Sequence, residues 1–216
     1  MRPDMTINGV SISSLGWLRE SIHFPMPQSQ TDTIVVPGRN SPIRYTEALG
    51  RVSYEPRSFE AVLAMLGWRE EFNRRSDEIV NRFSGRLVQV GVSEAPGLYA
   101  LGTVQITPSY DPLLHKGQLS ISCEDGDSYR YHTEETVIVQ TGDGTVTLEN
   151  DFMPVVPSVT VDAEASLGWR VGTDTFQKTV SPGTWEFPEL ELGSGSNRIT
   201  VKTAGTVTFR YREGRL

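Results

Sequence analysis

Cysteine is nearly absent from this chain. Its 216 residues hold one, Cys123, which excludes an internal disulfide and a zinc site built on paired cysteines. Histidine is scarce as well: His23, His115 and His132 stand far apart, with no pair at the spacing that gives a helix a metal-binding face. Long apolar runs are missing. The longest clean one, Ala61 to Leu66, falls far short of the roughly 20 residues of a membrane helix. The first thirty residues show no basic stretch leading into an apolar block, so the sequence predicts no secretory signal and folding in a cytoplasm. Positive charge is in deficit: 20 Lys and Arg face 27 Asp and Glu, for a net −7. A nucleic-acid binder or a binder of anionic membranes needs a net basic face to displace counterions, so this balance argues against both. Gly-rich phosphate loops are also lacking.

What is present reads as β-structure. The composition, 37% hydrophobic and 22% charged, is that of a globular chain, and the length suits one large all-β unit or two small domains. Thr33 to Val36 runs as a strand into the turn Pro37-Gly38-Arg39-Asn40, where Pro presets φ and Gly takes a positive one. Arg86 to Val92 is β-branched and flanked by glycines, although Leu87 shares a face with Gln89. Gln118 to Cys123 alternates, with Leu119, Ile121 and Cys123 turned inward. Thr136 to Gln140, Gly142-Asp143-Gly144 and Thr145 to Leu148 read as a hairpin. One helix is predicted, with Ser76 as its cap, acids at Asp77 and Glu78, a stripe of Ile79, Val80 and Phe83, and Gly85 past its end. Phe59 to Trp68 fits a helix by propensity and a strand by alternation.

Two prolines in four residues, Pro154 and Pro157, mark an expected domain entry, dividing the chain into residues 1–150 and 151–216. Beyond it Val159 to Val161, Arg170-Val171, Thr175 to Val180, Thr184 to Leu192, Arg198 to Lys202 and Thr206 to Tyr211 alternate with turns. That is the cadence of a compact β-sandwich.

Chemistry is harder to find. Gly91-Val92-Ser93-Glu94-Ala95 approaches a nucleophile elbow but ends in Ala, and no helical pattern follows. Asp125-Gly126-Asp127 opens like a calcium loop and then lacks the later ligands and the central Gly. No catalytic residue, metal ligand or cofactor site is assigned. Trp169 and Trp185 are the candidate binding residues, since an indole face packs on the apolar face of a pyranose. Arg74, Arg75, Arg82 and Arg86 read as a solvated or interface surface.

The order of these segments resembles the distal tail proteins of long-tailed phages, or related prophages, that infect Gram-positive bacteria. The resemblance rests on Ile7-Asn8-Gly9-Val10-Ser11-Ile12, Ile34-Val35-Val36-Pro37-Gly38-Arg39, Gly50-Arg51-Val52-Ser53-Tyr54 leading to Arg57, and Asn81-Arg82-Phe83-Ser84-Gly85. It continues through Gly97 to Val104, Ile121 to Glu124, Tyr129-Arg130-Tyr131, Leu190 to Val201, Val207 to Tyr211 and Gly214-Arg215-Leu216. It implies a mainly β chain: an N-terminal tail-tube-like β-sandwich with one α-helix, and a C-terminal galectin-like, jelly-roll sandwich. The stretch 59–66 would be a strand. Six copies would close into a ring at the virion's tail tip, joining the tail tube to tail-associated, baseplate and receptor-binding proteins. DNA would only pass through the lumen, and no enzymatic activity, cofactor or membrane is implied. The alternatives are a carbohydrate-binding module working through Trp169 or Trp185, and a tail-tube subunit.

Overall fold

A computed structural model of the chain describes residues 4–45 and 51–216; Gly50, one of the residues carrying the resemblance, lies outside them. The chain is mainly β, with one α-helix among the described residues, and divides into two compact units at Ser128/Tyr129.

The first unit holds β1 (Met5–Ile7), β2 (Val10–Ser11), β3 (Leu18–His23), β4 (Asp32–Ile34), β5 (Ile43–Tyr45) and β6 (Arg57–Leu66). The helix α1 (Arg69–Phe83) follows, then β7 (Arg86–Val92), β8 (Leu98–Asp111) and β9 (Lys116–Gly126). Apart from the separate β4-β5 ladder, the strands lie in the order β2-β1-β7-β8-β9-β6-β3. β8 is long because it serves twice. Tyr99 to Val104 pair with β7, and Gln105 to Asp111 pair with β9. The sheet folds along that strand, and its two halves close over one core. β7 and β1 supply Val88, Val90, Met5 and Ile7, while β6 and β9 supply Phe59, Leu63, Leu119 and Ile121. A Cβ on Gly102 would stand 2.8 Å from the Gly126 Cα, so glycine permits the close approach of β8 and β9 at this point.

Residues 59–66 form a strand, as the resemblance implies. Phe59, Ala61, Leu63 and Met65 are buried on one face, and β6 is hydrogen-bonded between β9 and β3. Pairing on both sides overrides the helical propensity of Ala, Leu and Met. The helix is longer than predicted. It starts at Arg69 rather than at Ser76, with Glu70 and Glu71 in its first turn, where carboxylates complement the dipole. Ser76 is no cap: it is buried in mid-helix and donates to the Asn73 carbonyl at 3.0 Å. The helix buries Phe72, Ser76, Ile79 and Phe83 and stops before Gly85, whose φ is +70°.

The second unit holds β10 (Arg130–His132), β11 (Thr136–Thr141), β12 (Gly144–Asn150), β13 (Ser158–Val161) and β14 (Ala165–Val171). β15 (Asp174–Val180), β16 (Gly183–Glu186), β17 (Gly195–Thr203), β18 (Thr206–Tyr211) and β19 (Gly214–Arg215) complete it. Two four-stranded sheets, β11-β18-β13-β16 and β12-β17-β14-β15, give alternate residues to one core. Val159, Val161, Val207 and Phe209 come from the first, and Leu148, Leu167, Ile199 and Val201 from the second. This is a β-sandwich.

Two expectations need correction here. β11 and β12 form no hairpin: β11 pairs with β18 and β12 with β17, so the Gly142-Asp143 turn carries the chain from one sheet to the other. Asp143 Oδ1 secures that turn by accepting from the Thr203 N–H at 2.8 Å. For the same reason the second unit begins at Tyr129 and not at residue 151, since residues 136–150 supply an edge strand to each of its sheets. The proline-rich stretch 150–157 is an internal crossover. Asn150 is buried there and donates to the Met153 carbonyl at 2.8 Å. β16 ends at Glu186, two residues before Pro188, yet Phe187, Leu190 and Leu192 still fill the core.

Candidate functional site

The residues that sequence reasoning weighed for catalysis do not converge. Ser93 Oγ accepts from the Asp4 N–H at 3.1 Å and lies 3.1 Å from Glu94, and Arg19 bridges to the same Glu94. That guanidinium holds the Glu94 carboxyl down at about 2, so at neutral pH Glu94 is a salt-bridged anion and a poor base. None of the histidines reaches Ser93. His115 Nδ1 stands 3.3 Å from Tyr110 Oη, with its ring edge-on to Trp68, and His132 Nε2 lies 3.2 Å from Asp151. Asp125 is exposed and held by its own fold: its Oδ1 accepts from the Thr103 N–H at 3.1 Å, which lowers its carboxyl. Burial pushes the Cys123 thiol up to about 11, so it is an inert core group. Among the described residues no cluster of three metal-ligating side chains occurs, and no helix is long and apolar enough to cross a membrane.

Trp169 and Trp185 are not brought together. Trp169, on β14, is 3% exposed, stacks on its cross-strand neighbour Phe176 at 5.7 Å, and donates from Nε1 to the Glu189 carbonyl at 2.9 Å. Trp185 is on β16 of the opposite sheet, 39% exposed, and donates to the Ser181 carbonyl at 3.0 Å. One indole is a core plug, and the other closes the Ser181-Pro182-Gly183 turn.

Three surface features stand out instead. In the first unit, β6 and β9 pair Leu66 with Lys116, which sets Leu66, Trp68, Leu113 and Leu114 around the β8–β9 turn and the start of α1. Trp68 is 71% exposed and Leu113 is 91% exposed; an apolar cluster left in water marks an association surface. The arm formed by β4 and β5 adds the exposed Ile34 and Val35. Second, β3 is a six-residue edge strand, and β11 and β16 are edges of their sheet; open edges can pair with another chain. β11 also turns Val137 and Val139 outward. Third, the outer face of β12-β17-β14-β15 carries a groove of about 680 Å³, lined by Arg170, Arg198, Lys202, uncharged polar side chains and the aromatic pair Trp169 and Phe176. Sequence reasoning missed it, although Arg198-x-Thr200-x-Lys202 shows the period of two that turns these side chains to one face.

The arginines around α1 divide. Arg75 bridges to Glu71 at 2.5 Å and donates to the Gly16 carbonyl at 2.9 Å, and Arg82 lies over the Phe83 ring. Arg57, by contrast, is buried. It donates to the Ser128 carbonyl from Nε and Nη2, at 3.2 and 3.0 Å, and to the Pro25 carbonyl from Nη1 at 2.9 Å.

No family model and no curated protein matches the chain. Among solved structures it is similar to the crystal structure of the Dit protein (gp 19.1) of SPP1, described as a paradigm of hub adsorption apparatus in phages that infect Gram-positive bacteria. The TM-score is 0.70 at 15% identity, and the alignment covers 100% of both chains. At that identity the likeness is one of fold, and it extends through both units.

Proposed function

We propose that the chain is a structural protein of a phage tail tip, a distal tail protein that works by assembly and not by catalysis. Six copies close into a ring that joins the tail tube above to tail-associated, baseplate and receptor-binding proteins below, in a virion assembled in the bacterial cytoplasm. The observation that carries this reading is the full-length match of fold, both units in order, to a phage hub protein. The exposed apolar cluster of Leu66, Trp68, Leu113 and Leu114 and the open edges β3 and β11 fit a chain whose copies or neighbours cover them. The scattering of Ser93, the histidines and the carboxylates into separate structural roles fits a protein without an active site. Each copy brings −7, so a six-membered ring is strongly acidic, which lets DNA pass through its lumen without sticking.

Antibodies against the chain, gold-labelled and bound to phage particles of the source strain, test the assignment. Label confined to the tail tip is expected. Label along the whole tail makes the chain a tube subunit, and absence of label from particles overturns the reading. The apolar cluster has its own test: Leu113→Asp with Leu114→Asp is expected to abolish assembly while changing the monomer's stability by no more than about 0.5 kcal/mol, because both side chains stand in solvent. Sedimentation and thermal melts report the two effects separately.

A further inference from the structure

We infer that the outer groove of the second unit's sheet is a binding site for an acidic oligosaccharide. The groove's chemistry stands whichever assembly the chain joins. Its unit is acidic, with eight Lys and Arg against twelve Asp and Glu, yet three of those eight cations line one groove, and the carboxylate bonded to its lining, Glu149, accepts from the Ser196 hydroxyl at 2.6 Å. Among the described residues, the salt bridges of this unit use Lys178, Arg210 and Arg215 and leave Arg170, Arg198 and Lys202 without a carboxylate partner. Register places them. β14 and β17 pair Gly168 with Thr200 and Trp169 with Ile199, so the next positions along are Arg170 and Arg198, on adjacent strands. Like charges side by side across a ladder repel, and an anion between them removes that cost. Lys202 lies four residues from Arg198 on the same face of β17, about 14 Å along the strand. A single small anion does not span that distance; an extended chain does.

The floor of the groove points the same way. Gly168 sits in mid-strand, where glycine weakens a sheet. Neither a positive φ nor crowding demands it: a Cβ there would meet only the Phe176 carbonyl at 3.8 Å and the Thr200 Cβ at 3.9 Å, ordinary contacts. What the missing side chain does is keep the centre of the groove open. Around it stand Thr200 and Gln177, hydroxyl and amide groups that exchange hydrogen bonds with sugar hydroxyls, while the volume, about 680 Å³, is that of a small-molecule cleft. Phe176 is the one half-exposed aromatic of the lining, too few for stacking successive bases of a nucleic acid. A protein interface core needs several apolar anchors, and this groove offers one, Phe176 stacked on the buried Trp169, among charged and polar side chains.

Calorimetric titration of the full chain with three oligosaccharides of equal length tests the assignment: a phosphorylated mannan fragment, an oligogalacturonate and a neutral dextran fragment. The acidic probes are expected to bind, one more tightly than the other, and the neutral one about tenfold more weakly or not at all. Affinity should fall as salt rises. Arg198→Gln and Gly168→Glu should each weaken binding about tenfold or more. Both positions face solvent, so melting curves should match the parent. Binding of neither acidic probe, binding unaffected by either variant in a protein that melts normally, or equal affinity for a single-stranded oligonucleotide would overturn the inference. Loss of self-association in Gly168→Glu without loss of sugar binding would give the groove to a second copy, and would overturn it too.

Discussion

Arg57 is a buried charge that joins segments far apart in the chain. Its guanidinium, 1% exposed, ties the Ser128 and Pro25 carbonyls to the start of β6. Arg57→Met keeps the bulk and removes the donors, leaving those half-buried carbonyls without them. A loss of about 2–4 kcal/mol is expected, read as a lowered urea midpoint with an unchanged slope; a loss below about 0.5 kcal/mol would show that water replaces the bonds. Glu94 gives a pH signature. Its folded carboxyl is held at about 2 by Arg19, against an ordinary value of 4.5. A depressed carboxyl stabilises the folded state above the ordinary value, and that contribution fades as pH falls from about 4.5 toward 2. Glu94→Gln should therefore narrow the difference in stability between pH 6 and pH 3, measured by denaturant titration at each pH. The effect is small, because the carboxylate is largely exposed and screened.

At the scale of elements, the alternating strands were legible because each buries one face: Leu119, Ile121 and Cys123 point inward, and the odd pairing of Leu87 with Gln89 is the outward face of β7. The helix start was misread because Ser76-Asp77-Glu78 has the chemistry of a cap, while the true first turn, with Glu70 and Glu71, shows a single apolar residue, Phe72, before Ser76. The turn at Gly142-Asp143 is misleading for a related reason: local sequence specifies that the chain reverses, and distant partners on β17 and β18 decide between hairpin and crossover. The groove was hidden because Arg170 comes from one strand and Arg198 and Lys202 from another, joined only by register. The corrected boundary has a consequence in solution. A fragment of residues 129–216 is expected to fold, with dispersed amide resonances, whereas residues 151–216, stripped of β11 and β12, should be unfolded or aggregated. A folded 151–216 fragment would restore the boundary drawn from the prolines.

For the whole molecule, fold and function separate. Two sandwich-like units in this order match a phage hub protein over the full length, and that likeness fixes architecture. The ring is an inference from the likeness, the open edges and the apolar cluster, since a head-to-tail contact closes only when its rotation divides the circle. Electron microscopy of the purified chain, with mass measured on the same sample, bears on this most directly. The account predicts six-fold rings of about 144 kDa, six times 24.0 kDa; long stacked tubes, or monomers at every concentration, would contradict it.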